Sequence, residues 1–251
     1  MKELREFYAS NPHMVSSPFG GVHDWNEPLF ADVLARLDIE LAQHEGARIL
    51  DVGCGRGFAG DFVRRKGCAY VGVDLVPRPV DFPLASAEAL HLPFPDASFQ
   101  GLFCIDVFEH IEDYHGAAAE FRRVLQPDGW VFLSTPNYGN VAGAVKWWAE
   151  HFGKYEKNSW APFGRWQAQE WETPLTLRRV RRAFKSAGFR SARLIGYGPE
   201  VGLGLVPWME HPRTPEAIRF RLQRLFRIAG PGIVRIWPGV SLHGFWKFGN
   251  E

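Results

Sequence analysis

The chain has 251 residues, 46% of them hydrophobic, which suffices for one sizeable core with or without a small cap. It contains no run of the ~20 apolar residues that a membrane-spanning helix needs, and no apolar signal region follows its polar start, so we expect a cytoplasmic protein. The three cysteines are odd in number and form no C-x-x-C pair, which argues against a disulfide framework or a zinc site.

The net charge of +1 is unevenly distributed along the chain. Residues 175–251 contain 14 Lys and Arg against 4 Asp and Glu, whereas residues 1–174 contain 15 against 24. A basic C-terminal third can contact an anionic membrane surface, a nucleic acid or an acidic substrate. It can equally be solvated or paired within the chain, and composition leaves these alternatives open.

The first half of the chain predicts helices and strands in alternation. Breakers such as Asn11, Pro12 and Gly20 indicate an irregular start over residues 1–25, and apolar residues at helical spacing indicate a helix over 27–44. Strands are predicted over 48–53, 69–74, 101–106 and 130–134, with helices over 58–66 and 115–125. A turn at 127–129 is predicted to end the second of these helices. This alternation implies right-handed crossovers and a mostly parallel sheet.

Beyond residue 136 the regular pattern weakens until a helix over 177–187 and strands over 189–195 and 242–248. The segment 137–174 is too long for an ordinary connection and is predicted to be a cap. It contains five of the ten tryptophans: Trp147, Trp148, Trp160, Trp166 and Trp171. These could line an apolar or aromatic acceptor site, although packing inside the cap explains most of them as well.

A basic amphipathic helix is predicted over residues 218–227. Ile218, Leu222, Leu225 and Ala229 share one helical face that arginines flank. We expect this face to dock on the core, as the apolar faces of most amphipathic helices do, with peripheral contact to a membrane surface as the alternative.

Together these elements predict an α/β fold. We expect a Rossmann-like, mostly parallel seven-stranded sheet with helices on both faces and a helical cap insertion. The predicted organisation is an N-terminal helical segment or lid (1–46), a core (47–136, 175–195 and 241–251), an aromatic-rich cap insertion (137–174) and a basic insertion (196–240).

A glycine-rich loop between the first predicted strand and the next helix suggests a cofactor site. Glycines there let backbone approach a ligand closely and present amides at a helix N-terminus, and Gly55, Gly57 and Gly60 even match a dinucleotide fingerprint. Asp51 at the strand end argues against a pyrophosphate, which its carboxylate would repel, and for a cationic methionine moiety. Asp74 ends the second strand, where an acid can accept hydrogen bonds from both ribose hydroxyls.

The chain resembles the class I S-adenosylmethionine-dependent methyltransferases, in particular their small-molecule type 11 branch. The resemblance covers residues 47–137, and it rests on four blocks in order: ILDVGCGRG at 49–57, VGVD at 71–74, AEALHLPFPDASF at 87–99 and VLQPDGW at 124–130. It implies that S-adenosylmethionine is the cofactor.

The resemblance also assigns parts of the cofactor to particular residues. It implies that the loop at Gly53, Cys54 and Gly55 holds the methionine end and that Asp74 binds the ribose. Around the adenine it implies Ser86, Ala87 and Glu88, and we add Leu75, Ile105 and Asp106 at the neighbouring strand ends. The family often has Asp where this chain has Ser86, and a neutral serine should bind the adenine amino group more weakly.

Methyl transfer is an in-line displacement that depends mainly on alignment, and it needs a base only if the acceptor must lose a proton. His110 follows the fourth strand, at the edge that should border the ligand crevice, and is our candidate base. It could instead be a helix-start histidine that bonds backbone, and His115 and Glu109 are weaker candidates. No carboxylate cluster suggests a catalytic metal.

The sequence therefore predicts a methyltransferase for a small organic acceptor, with oxygen as the favoured nucleophile. Methylases of adenine, cytosine or amide nitrogen share an Asn/Asp-Pro-Pro-aromatic motif at the position that follows Ile105 here. This motif is absent from the chain at that position, so a nucleic-acid acceptor is disfavoured. Two alternatives stay open. One is an RNA-directed methyltransferase that uses the basic C-terminal third, and the other is a non-catalytic scaffold that keeps the cofactor pocket.

Overall fold

The computed structural model describes residues 2–10, 37–38, 41–57, 59–76, 78–152, 172–196, 215–241 and 243–250. The chain divides into two compact units. The first unit comprises residues 1–134, 181–193 and 246–251, and the second comprises 135–180 and 194–245. Within the described part of the chain, every helix is too short or too polar to cross a lipid bilayer.

The described strands are β1 (Arg48–Val52), β2 (Ala69–Asp74), β3 (Leu84–Ser86), β4 (Phe99–Ile105), β5 (Leu125–Pro136), β6 (Ser191–Gly196) and β7 (His243–Gly249). The described helices are α1 (Lys2–Ser10), α2 (Gly60–Arg65), α3 (Tyr114–Val124), α4 (Val141–Phe152), α5 (Leu177–Ser186) and α6 (Glu216–Ile236). Short 3₁₀ turns lie at Phe108–His110 and Pro238–Val240.

The strands form one sheet in the order β3-β2-β1-β4-β5-β7-β6. The pairings of β1 with β2, β1 with β4, β2 with β3 and β4 with β5 are all parallel. The chain therefore builds outward from β1 to β3 and then returns to add β4 on the other side of β1. In such sheets a ligand crevice opens where the order reverses, outside the carboxyl ends of the strands. Here that point lies after β1 and β4.

Central strands of this sheet are buried along most of their length, which explains their short continuous apolar runs. Ile49 and Leu50 of β1 and Phe103 of β4 are completely buried. The α3 helix begins at an N-cap, where the Asp113 side chain accepts a hydrogen bond of 2.8 Å from the Gly116 amide. The local sequence thus defines both the buried strands and the start of the helix that connects two of them.

The predicted fold class is confirmed as a seven-stranded, mostly parallel sheet with helices, but several local predictions are wrong. Residues 2–10 are helical rather than irregular, because the breakers begin only at Asn11 and Pro12. Six of the seven expected strands were located in the sequence, and the one that was not located is β3. It has only three residues and no continuous apolar run. Strand β5 extends through the predicted turn at 127–129, with a register irregularity opposite Phe99–Gly101. Residues 141–152 form a regular helix within the segment 137–174, which was predicted to be a helical cap.

Two predicted features lie wholly or largely outside the described residues. They are the helix over 27–44, apart from its end around the buried Leu37 and Leu41, and the part of the cap that carries Trp160, Trp166 and Trp171. The basic helix exists and is longer than predicted, but the expected docking of its apolar face is wrong at Ile218 and Leu225, which are exposed. The half-buried side is rotated toward Phe226 and Ile233.

Within the second unit, the start of one predicted insertion contacts the end of the other. The Asn137 side-chain amide donates to the carbonyls of Gly239 and Ser241 at 2.9 and 3.0 Å, and that of Asn140 donates to Ser241 at 2.9 Å. Asn137 and Ser241 are buried, so the bond between them is shielded from water. Residues about 100 positions apart in the chain are thereby joined.

Candidate active site

The loop after β1 adopts a conformation that favours glycine at three positions. Gly53, Gly55 and Gly57 have φ values of 75°, 54° and 76°. A Cβ atom at Gly53 would lie 2.3 Å from Val107 Cγ2, far inside contact distance. The Gly53 and Cys54 amides donate to the Val73 carbonyl at 2.7 and 3.1 Å, which fastens the loop to β2. The loop is therefore held in one shape by backbone geometry and packing.

Asp74, the last residue of β2, is buried and holds this loop through its carboxylate. Its Oδ2 accepts a bond of 2.9 Å from the Gly55 amide, and its Oδ1 accepts one of 3.0 Å from the Val76 amide. Each carboxylate oxygen can accept a further hydrogen bond. The two oxygens are thus oriented as a pair of acceptors, which suits two neighbouring hydroxyl groups.

Asp51 lies beside the same loop, and it is buried against Tyr70 of β2. The Tyr70 hydroxyl donates to Asp51 Oδ2 at 2.5 Å. The pKa of Asp51 is raised from 3.8 to about 7 in total, chiefly by burial. The Tyr70 hydrogen bond lowers this pKa and the Asp74 charge raises it, and both effects are included in that value. A cation placed next to Asp51 would stabilise its ionised form and lower this pKa. The position beside the Asp51 carboxylate is therefore suited to a positively charged group.

Tyr70 was missed by the sequence reasoning, although a signal for it exists. The register pairs Ile49 with Tyr70 and Leu50 with Val71, so Tyr70 stands one strand away and two positions before the level of Asp51. A tyrosine in a strand next to an acid-bearing strand end is a candidate partner, but only the register shows that they meet. Burial and the neighbouring Asp51 charge also raise the pKa of Tyr70, so it stays a proton donor.

Ser86, Ala87 and Leu75 come together at the ends of β2 and β3. Ser86 is opposite Asp74 in the register, and the Ala87 amide donates to the Asp74 carbonyl at 3.2 Å. The exposed Ser86 hydroxyl lies 3.5 Å from the Leu75 carbonyl, at the limit of a hydrogen bond. Glu88 is half-buried and forms a bridge with His91. This edge can offer a polar rim to a flat ring.

Asp106, which follows Ile105 at the end of β4, has a positive φ of 51°, which is uncommon for a residue other than glycine. Ser134 of β5 holds it there. The Ser134 hydroxyl donates to Asp106 Oδ1 at 2.7 Å, and the Asp106 amide donates to the Ser134 carbonyl at 3.1 Å. The fully buried Ser134 was also missed, because its position opposite Ile105 appears only in the register.

His110 ends the 3₁₀ turn that follows, and its Nε2 lies 3.7 Å from Oε1 of the buried Glu109. The structure thus pairs the candidate base with one of its two weaker alternatives. His115, the other, is an exposed residue in the first turn of α3, where its ring contacts Tyr114 at 4.7 Å. A carboxylate beside an imidazole can orient the ring and stabilise its protonated form.

The cysteines add no reactive group to this site. Cys54, Cys68 and Cys104 are buried free thiols, and burial raises the pKa of each. For Cys54 the charges of Asp51 and Asp74 act in the same direction. No group of three His, Cys, Asp or Glu side chains in the described ranges is placed to hold a metal ion.

A family model and curated proteins are similar to this chain. A family model described as a methyltransferase domain matches residues 23–194. A ubiquinone biosynthesis O-methyltransferase of Paracidovorax citrulli is 34% identical over 113 residues, which cover 39% of this chain and 47% of that protein. A malonyl-[acyl-carrier protein] O-methyltransferase of Serratia marcescens is 29% identical over 163 residues, which cover 61% of this chain and 64% of that protein. These matches span about half to just under two thirds of the relatives' length.

The fold has solved counterparts. The structure of a SAM-dependent methyltransferase from Archaeoglobus fulgidus superposes with a TM-score of 0.56 at 15% identity, covering 87% of this chain and 93% of that one. At this identity the likeness concerns the fold.

Proposed function

The chain belongs to the methyltransferase domain family, and from this premise we propose that it transfers a methyl group to an oxygen atom of a small organic acceptor. It is a class I methyltransferase, and its methyl donor is S-adenosylmethionine. When bound, this donor supplies a methyl carbon made electrophilic by a positively charged sulfur. The protein's own task is to hold the donor, align the acceptor and keep water out.

The donor set around the glycine loop fits S-adenosylmethionine. Asp51 offers a buried carboxylate to the cationic methionine end, and the loop at Gly53, Cys54 and Gly55 offers backbone at close approach. Asp74, with both oxygens already oriented by the Gly55 and Val76 amides, is suited to the two ribose hydroxyls. This pair of acids beside one rigid loop is the observation that carries the proposal.

The adenine end is assigned to the edge formed by β3 and the residues after it. If the Ser86 hydroxyl hydrogen points to the Leu75 carbonyl, the serine oxygen can accept from the adenine amino group. Ala87 and Glu88 would flank the ring, and Ile105 and Asp106 would line the opposite side at the end of β4. Because serine is neutral, this part of the site should contribute less to affinity than Asp74 does.

His110 is proposed as the base that takes a proton from an oxygen acceptor. Its imidazole is held beside Glu109, which can stabilise the positive charge that the ring acquires when it accepts a proton. The names of the curated relatives, both O-methyltransferases, support oxygen as the nucleophile. A hydroxyl acceptor would need a base such as His110, whereas an acceptor that is already an ionised carboxylate would not.

The donor site is tested by calorimetry with S-adenosylhomocysteine. Replacing Asp74 by Asn should weaken binding about 10- to 150-fold, since each charge-assisted bond lost is worth about 1.5–3 kcal/mol. The matched control is Asp81→Asn, which changes an exposed aspartate that accepts a hydrogen bond from Arg64, and this variant should bind normally. Binding of NAD with no response to S-adenosylhomocysteine would contradict the proposed site.

The acceptor is tested separately with S-adenosylmethionine labelled in its methyl group. Catechols, other phenols and acyl carboxylates form one panel, and primary and secondary amines form the other. Transfer to the first panel supports oxygen, whereas transfer only to amines would overturn the oxygen assignment and leave the donor site intact.

A further inference from the structure

We propose that the exposed face of α6 binds the surface of an anionic lipid bilayer. This property goes beyond the proposed methyl transfer and does not depend on it. The proposal concerns the side chains of Arg221, Arg224, Leu225, Ile228 and Arg235, which we call the α6 outer face.

The α6 outer face exposes large apolar side chains that a water-facing helix would normally lack. Leu225 is 55% exposed and Ile228 is 74% exposed. The two side chains are three residues apart and therefore lie next to each other on the same face of the helix. Ile236, at the end of the helix, is 88% exposed. The other side of the helix is half-buried at Phe226 and Ile233, so the helix already has a separate packing surface and its outer face is a second one.

Arginines are interspersed with these apolar residues. Arg221 is four positions before Leu225, and Arg224 is four positions before Ile228, so charged and apolar side chains alternate within single turns. Arg221, Arg224 and Arg235 are exposed. The helix sequence contains five arginines and one acid, Glu216 at its first position. The α6 outer face therefore carries positive charge and apolar bulk together.

This combination favours a bilayer surface over other occupants. An interfacial helix inserts apolar side chains among the acyl chains while its arginines contact anionic headgroups, and both kinds of residue are needed. RNA would use the arginines but gain little from Leu225 and Ile228. A second copy of this chain would bring two faces of the same charge together in a symmetric contact, which is unfavourable. With five arginines, α6 would lie on the surface rather than cross it.

The test is co-flotation of the full chain with vesicles. Vesicles of phosphatidylcholine alone are compared with vesicles of phosphatidylcholine and phosphatidylglycerol, at low and high salt. We expect binding to the anionic vesicles only, weakened by salt. The charge variant Arg221→Gln/Arg224→Gln should lower the partition coefficient about 25-fold, which is about five-fold for each arginine. The apolar variant Leu225→Ser/Ile228→Ser should lose binding even at low salt.

The matched control is Arg181→Gln/Arg182→Gln, which removes two exposed arginines from α5 and should bind as the wild type does. Melting temperature and S-adenosylhomocysteine affinity identify any misfolded variant, and Ile228→Gln provides a milder apolar change. Failure of the wild type to bind anionic vesicles overturns the proposal. If only the charge variant loses vesicle binding and the wild-type chain binds RNA, the proposal is overturned in favour of a nucleic acid. If the wild-type chain self-associates without vesicles and the serine variant does not, the proposal is overturned in favour of contact with a second copy of the chain.

Discussion

The two compact units differ in whether their large apolar side chains are buried or exposed. Of the eleven largest fully buried side chains, ten belong to the first unit, and Phe245 alone belongs to the second. All ten large apolar side chains that are exposed in the described residues belong to the second unit: Val141, Trp147, Trp148, Phe152, Ile218, Phe220, Leu225, Ile228, Ile236 and Trp237.

The difference indicates a division between a closed scaffold and a binding region. The first unit contains every residue that we assign to the donor site, at the ends of strands whose neighbours are completely buried, and rigid supports of this kind hold a site in place. The second unit leaves apolar surface in water, a pattern that marks contact with ligands, partners or membranes. We therefore expect substitutions in the first unit to affect stability and chemistry, and those in the second to affect binding.

The largest expected effect contrasts one aromatic residue from each unit. Phe103→Ala should lower the free energy of unfolding by about 3–5 kcal/mol, because Phe103 is completely buried against Trp130 and Phe132. Trp148→Ala, at a side chain that is 60% exposed, should change it by no more than about 0.5 kcal/mol. Denaturant titration of both variants measures the difference. Comparable losses would remove the contrast between the units.

A second prediction concerns chemistry in the first unit. His110→Ala should lower kcat by roughly 10²–10⁴ while leaving donor affinity nearly unchanged, as expected for loss of a general base. His110→Gln keeps a hydrogen-bonding group but cannot accept the proton at neutral pH. Full activity of the glutamine variant between about pH 6 and 9 would mean that His110 only positions the acceptor or packs. The rate is followed by methyl transfer once an oxygen acceptor is known.

A third prediction follows from the raised pKa of Asp51, about 7 in the folded protein against 3.8 ordinarily. The folded state therefore keeps a proton that the unfolded chain releases, so the stability from this group is full below about pH 4 and is lost as the pH rises to 7. The slope is at most about 1.4 kcal/mol per pH unit. Asp51→Asn should flatten the pH dependence of the unfolding free energy, and an unchanged profile would contradict the assignment.

The ionisation of Asp51 should also affect the affinity for the donor. Since the positive ammonium group of the ligand favours the ionised carboxylate, affinity for S-adenosylhomocysteine should rise by up to about ten-fold per pH unit below pH 7 and then level off. The other groups that interact with the charge of Asp51 are Tyr70, Asp74, Cys54 and Cys104. The pKa values of Tyr70, Cys54 and Cys104 are raised, so these three groups do not ionise in this pH range. Calorimetry in buffers of different ionisation enthalpy measures the proton released on binding.

A further prediction tests the shape of the glycine loop after β1. Gly53→Ala should destabilise the fold by about 1–3 kcal/mol, because it adds a Cβ at positive φ next to Val107. Val107→Ala in the same chain should recover the part due to the steric contact and leave the part due to φ. Equal stability of Gly53→Ala and wild type would mean that the loop adjusts freely. Gly188→Ala, with positive φ and open space around its Cβ, is the control for backbone strain alone.

The sequence by itself determined the class of the fold and much of the donor site. Continuous apolar runs defined β1 and β2, because strands buried on both faces have no polar alternation. Gly53 and Asp74 could be recognised because strand ends, acids and glycines in that order are encoded within short stretches of chain. The helix over 177–187 was likewise predicted from local periodicity alone. The assignments of individual site residues stay predictions until a ligand is bound.

Only the tertiary structure decided which residues from different strands and segments meet. Tyr70 bonds Asp51 and Ser134 bonds Asp106 because parallel registers align them, and a register is not written in any single strand. Asn137 and Gly239, 102 residues apart, join two segments that the sequence presents as separate insertions. The outer face of α6 also emerged only here, because a helical pattern shows which residues share a face but not which face the rest of the protein covers.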